Sequence, residues 1–238
     1  MYYYRTNEEI NEIGESIIMK YDYDAYISGE AIDIEGFVER CLKYSVVYDE
    51  IAEDDASKMA FLSDGISSLK VRRSGNVVKI TPSAKTIVLD KSLQGKEFEK
   101  KRRFNLAHEA GHIVMNALAG ISDSAAFNTV FEKERAYSFA ELHKMFSIVE
   151  SQATSMGAAL LMPKTLVITL LNKLTSTSRI SLYGNEVLAD KDRSVVWALA
   201  NKLNVSYKSM FIRLKHLGMF EYRTMDEFLD NNLCYMGG

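Results

Sequence analysis

An α+β fold is what this 238-residue sequence predicts, and three observations carry it. Short β-type runs punctuated by turn residues cluster between residues 46 and 89. Apolar residues recur at helical spacing over 97–118 and again over 138–161. The gaps between the β-type runs are too short for helical crossovers, which favours a small antiparallel sheet packed on helices. Composition agrees: 47% hydrophobic and 26% charged residues are ordinary for a globular chain and exclude a disordered one.

At this length the chain holds one large domain or a domain with an appendage. We divide it at residues 1–170 and 171–238. Only Cys41 and Cys234 are present, which excludes a disulfide-dense scaffold and a Cys-rich zinc module. The net charge of −3 excludes a chain that is basic overall. The opening MYYYRTNEEINEIGES lacks the basic and apolar regions of a signal peptide. No run approaches the ~18 apolar residues of a membrane span. The expectation is a soluble protein of a reducing compartment, the cytoplasm, without membrane association; oligomeric state is not legible.

The elements follow in order. Residues 8–20 place Ile10, Ile13, Ile17 and Ile18 on one helical face, with Asn7 as N-cap. Residues 33–47 repeat the pattern with Ile34, Phe37, Val38, Cys41 and Leu42. Val46 to Tyr48, Lys58 to Leu62, Leu69 to Arg72, Val77 to Thr81 and Thr86 to Leu89 read as strands. VRRSGNVVKI reads as a hairpin turning at Ser-Gly-Asn. Residues 97–118 form a long helix, 121–137 a polar surface loop, and 138–161 a second long helix that Pro163 ends. Residues 175–192 read as a Ser/Thr-rich connector, 193–217 as two short helices, and 224–232 as one more. Charge is uneven: residues 1–60 carry net −10 and residues 61–105 net +7. Either these are solvated faces, or the acidic start meets the basic middle or a partner.

Residues 108–112 read His-Glu-Ala-Gly-His inside RRFNLAHEAGHIVMNAL. Four residues advance a helix by about 400°, leaving the two imidazoles ~40° apart and ~6 Å along the axis. Both can reach one cation at about 2.0–2.1 Å. Glu109 is offset by roughly 100° and can take a proton from a water beside the metal. Gly111 inside the helix costs ~1 kcal/mol relative to Ala, which points to close packing or to a site needing room. A third protein ligand is required. Asp123, Glu132, Glu134, Glu141, His143 and Glu150 lie downstream. The three-histidine pattern with a glycine three and a histidine six residues past His112 is excluded, because Met115 and Leu118 stand there. Glu150 is the best choice: it sits on a helix whose Ala153, Ser155, Gly157, Ala158 and Ala159 allow close approach. His143 shares nearly the same face, ~10 Å away along the axis, and can line the cleft or simply lie on the surface. Tyr137, His143 and Arg135 are the candidates for stabilising an oxyanion.

RRFNLAHEAGHIVM, followed by VESQATSMGAALLMPK, resembles the ImmA/IrrE family of metallopeptidases. The strand KTIVLD before the first helix fits the same pattern, and the likeness spans roughly residues 40–220. It implies a zincin-like fold, one zinc ion held by His108, His112 and Glu150, and Glu109 as general base. It also implies a bacterial or phage protease that cleaves a helix-turn-helix repressor and so derepresses mobile-element or stress genes. One departure is visible. The family often has Asn four residues after the ligand Glu, where this chain has Thr154; if that Asn orients a His ligand, Thr154 does so less well or through water.

Residues 193–217 hold five bases and no acid. Their helix, short turn and helix, with Ser206 as N-cap, resemble a helix-turn-helix. DNA binding would bring Lys208, Arg213 or Lys215 to phosphates or base edges. The alternative is a hairpin that packs on the rest of the protein or docks a protein substrate. A shortage of Arg and Asn at the exposed start of the second helix favours that alternative. Trp197 reads as a core residue. Two functions from different classes result: a zinc endopeptidase with a narrow protein substrate, or a non-catalytic regulator that binds a repressor or DNA around a structural or vestigial metal site.

Overall fold

The computed structural model describes residues 4–54, 58–120, 139–175 and 177–233, apart from the side chains of 139–146 and 232–233. The chain is α+β and divides into two compact units, residues 1–23 with 32–163 and residues 24–31 with 164–238. The expected surface loop 121–137 lies outside the described residues.

In the first unit, helix α1 (Asn7–Tyr21) is capped by Thr6 and not by Asn7. Thr6 Oγ1 accepts from Glu9 N at 3.2 Å, and Thr6 N donates to Glu9 Oε2 at 2.7 Å. This reciprocal box needs Glu three residues after the cap, a spacing Thr6 meets and Asn7 does not. Helix α1 buries Ile10, Gly14 and Ile18. A Cβ on Gly14 would lie 2.7 Å from Ala159 Cβ, so a helix passes within touching distance there. After α2 (Tyr23–Ser28), the short α3 (Ile34–Gly36) runs into a π-helical turn over Phe37–Leu42, which ends where Lys43 turns left-handed at φ 63°.

Strands β1 (Ser45–Asp49), β2 (Ala60–Ser63), β3 (Leu69–Arg73), β4 (Asn76–Ile80) and β5 (Thr86–Asp90) follow. They form a three-stranded sheet in the order β1-β5-β2 and a separate β3-β4 hairpin. The expectation of an all-antiparallel sheet is corrected: β2 runs antiparallel to β5, but β1 runs parallel to it, with Ser45 opposite Thr86. Short gaps constrain only strands that are consecutive in sequence. β1 and β5 are neighbours in space alone, and β2 with the hairpin serves as the long crossover a parallel pair needs. In the hairpin Arg73 faces Asn76, and Ser74 and Gly75 both take positive φ, 51° and 84°. That is the two-residue turn whose twist matches the strands.

The acidic start does meet the basic middle. Arg72 pairs with Glu50 at 2.9 Å, Arg73 with Asp49 at 2.8 Å, and Lys70 with Asp54 at 2.7 Å. These pairs are largely exposed and individually weak. Burial is what holds the strands, with Leu69, Val71 and Val88 packed against Ile51, Phe61 and Ile80. β5 is buried from Thr86 to Leu89 and forms the floor for the long helix. Two 3-10 turns, Lys91–Gln94 and Lys96–Phe98, lead into α4 (Glu99–Leu118). Helix α5 (Phe139–Leu161) packs along it.

The second unit takes residues 24–31, with most of α2, and resumes after Pro163 with α6 (Lys164–Leu174). The expected connector 175–192 contains a strand, β6 (Ile180–Tyr183), which pairs in parallel with β7 (Phe220–Arg223). Four residues between Ser/Thr-rich flanks give no local signal when the partner lies so far downstream. Between them stand α7 (Asp190–Lys202) and α8 (Tyr207–His216), joined by a turn with Asn204 at φ 51°. Ser206 caps α8 by accepting from Ser209 N at 3.0 Å. Val196, Leu199, Ala200, Met210 and Leu214 fill the space between. Trp197 is not core: it is 48% exposed, one step around α7 from that stripe, with its ring centroid 5.0 Å from that of Tyr207. Helix α9 (Met225–Leu233) follows. No single described helix is long and apolar enough to cross a membrane.

Candidate metal centre

The centre is built where α4 and α5 cross. Two arginines anchor the start of α4: Arg102 Nη1 donates to Leu93 O at 2.9 Å and Arg103 Nη2 to Ile32 O at 2.8 Å. Beyond them the helix buries Leu106, Ala107, Ala110, Ile113 and Val114. His108 and His112 stand one turn apart on its other side, only partly buried.

Two glycines let α5 approach. A Cβ on Gly111 would lie 2.2 Å from Ala153 O, and a Cβ on Gly157 would lie 2.6 Å from Ala107 O. Each helix thus rests its backbone on the other's missing side chain. Gln152, buried at 4% exposure, donates Nε2 to Arg5 O at 2.7 Å and ties α5 to the chain start. Nothing in the sequence signals that contact, because it joins residues 147 positions apart.

The crossing brings Glu150 to the histidines. His108 Nε2 lies 3.1 Å from His112 Nε2 and 3.2 Å from Glu150 Oε2, and His112 Nε2 lies 3.5 Å from Glu150 Oε1. Tetrahedral donors at zinc distances of about 2.05 Å are separated by roughly 3.35 Å, so the triangle has the size such an ion requires. Two imidazole lone pairs at 3.1 Å repel each other unless a proton or a cation lies between them. Two ring nitrogens and one carboxylate also match the chemistry of a divalent zinc-type site. The Glu150 side chain is 59% exposed, so the centre opens to solvent on that side. On the far side of His108, Thr154 Oγ1 lies 3.2 Å from Nδ1. The contact is direct and needs no bridging water.

Glu109 is 8% exposed. Burial pushes its carboxyl above the ordinary range, while the nearby His112 and His108 rings pull it partly back. The hydrogen bonds of His108 and His112 hold Glu150 far below the usual carboxylate range. Burial alone would lower His108, but its bond to Glu150 and the charges of Glu109 and Glu150 leave it raised. The sign of the pH effect follows. His108 binds its proton more tightly folded than unfolded, so in the metal-free protein its contribution is fully present below its ordinary pKa of 6.5 and fades as pH rises through the raised value. Glu150 contributes above its ordinary 4.5 and loses that contribution only as pH falls through its depressed value. The melting temperature of metal-free native protein minus that of His108→Gln should therefore decline from pH 6 to pH 9. A flat difference contradicts this pairing.

A family model described as Peptidase M78, IrrE N-terminal-like domain, matches residues 74–215, more than half of the chain. The chain belongs to the M78 family. Membership implies a metallopeptidase-like domain, and the His108, His112 and Glu150 cluster of this M78 chain is compatible with a metal site. No curated protein matches the chain.

The other candidates fall elsewhere. Tyr137 and Arg135, with Asp123, Glu132 and Glu134, lie outside the described residues. His143 and Glu141 lie on the described part of α5, but their side chains are not described. In the second unit Arg213 is buried at 4% exposure, which removes its guanidinium from any docking face. Lys215 pairs with Glu186. Lys208 is exposed and lines an open cavity with Tyr207, Phe211 and Arg193.

Proposed function

We propose that this M78 chain is a zinc-dependent endopeptidase of the cytoplasm that cleaves a helix-turn-helix transcriptional repressor, relieving repression of a mobile element or a stress regulon. One observation carries the hydrolytic reading: three donor atoms, from His108, His112 and Glu150, lie within 4.8 Å of one another beside a buried carboxyl. His108, His112 and Glu150 would hold the ion. Zinc bound there supplies Lewis-acid polarisation of the scissile carbonyl and an acidified water.

The remaining work falls to the chain's own groups. Glu109 accepts the water's proton on a carboxylate oxygen. Burial raises its proton affinity, which suits it to hold that proton until the leaving amide nitrogen takes it. The solvent-open Glu150 side admits a peptide segment. The repressor as substrate rests on the family resemblance. Arg213 is buried and so is withdrawn from a DNA-facing surface of α7-α8, which favours a protein partner.

The test pairs this chain with any small helix-turn-helix repressor encoded beside its gene. The zinc-loaded protein should yield two defined fragments, a chelator should abolish them, and added zinc should restore them. A repressor that binds stoichiometrically zinc-loaded protein yet stays intact would make the chain a non-catalytic regulator.

A further inference from the structure

We infer that Thr154 is a positioning residue for His108, its hydroxyl accepting the Nδ1 proton so that the Nε2 lone pair is aimed into the metal centre. This rests on the metal-binding reading above and extends it to a residue outside the ligand set. Three observations support it. Thr154 Oγ1 lies 3.2 Å from His108 Nδ1, within hydrogen-bond reach. The opposite ring nitrogen is the one that faces His112 and Glu150, at 3.1 and 3.2 Å. Thr154 also stands one helical turn after Glu150, so the same face of α5 carries both the carboxylate and the group that orients its neighbour.

The acceptor is a neutral hydroxyl on a solvent-exposed residue. It fixes the ring without adding charge, and it raises the basicity of the imidazole less than an amide or carboxylate oxygen does. On this inference the three ligands hold their ion less tightly than they would with an amide or carboxylate oxygen in that place.

Thr154→Val keeps the branched shape and removes the hydroxyl. Competition with a chromophoric chelator for zinc should show Thr154→Val binding about tenfold more weakly than the native chain, the low end for loss of such a partner. Thr154→Ser should return to within about threefold of native, and Thr154→Asn should match or exceed it. The metal-free melting temperatures of native, Val and Ser forms should agree, because the contact is exposed and a merely structural role would move them. Equal zinc affinity in native and Val forms overturns this inference and leaves the metal centre standing. A native chain that takes up no zinc overturns both.

Discussion

Glu109→Gln should take up zinc as the native chain does and, if the proposed function holds, cleave its protein substrate at least about a hundredfold more slowly. The three donor atoms belong to His108, His112 and Glu150, and the substitution touches none of them. Gln fills the same buried space, and burial already disfavours the carboxyl's charge, so the fold should not suffer. An amide cannot accept the water's proton and hold it, and that step alone is lost. A hundredfold slower rate corresponds to about 2.7 kcal/mol of barrier. Metal content by elemental analysis and fragment appearance on gels measure the two halves. Native-rate cleavage by the Gln form removes Glu109 from the mechanism.

Gly111→Ala should strongly destabilise the first unit. Ala is the better helix former by ~1 kcal/mol, so an isolated α4 would gain from it. In the protein the new methyl would lie 2.2 Å from Ala153 O, 3.0 Å from Ala153 C and 3.1 Å from Gly157 N. All three are backbone atoms and cannot rotate aside. The helices must separate, at a cost of about 3 kcal/mol or more in lost packing. Glu150 travels with α5, so the donor triangle widens too. Urea unfolding should shift to lower midpoints with little change in slope, and zinc affinity should fall along with it. Gly157→Ala, 2.6 Å from Ala107 O, should behave alike. A Gly111→Ala chain as stable as native would mean the crossing is looser than the structure shows.

Much of the fold was legible because it is local. The Ser74-Gly75 turn, the Ser206 cap and the helices around 97–118 and 138–161 follow from propensity and periodicity over a few residues. The corrections are of two kinds, strand pairings distant in sequence and the faces of two helices. Sheet direction was misjudged because β1 pairs with β5 across an intervening hairpin. β6 was missed because its partner β7 comes after two helices. Trp197 reads as core in the sequence, whereas its angular position on α7 leaves it half exposed. Arg213 is a candidate DNA contact only under the helix-turn-helix reading, and it lies on the inward face of α8.

The sequence by itself determined the pairing of His108 with His112 and the offset of Glu109, because a helix repeats every 3.6 residues wherever it sits. Only the tertiary structure decided that Glu150 closes the triangle and that Thr154, 46 positions from His108, reaches its ring. That outcome depends on two backbones meeting at Gly111 and Gly157; the small residues signal close approach, but packing sets the distance and register between the helices.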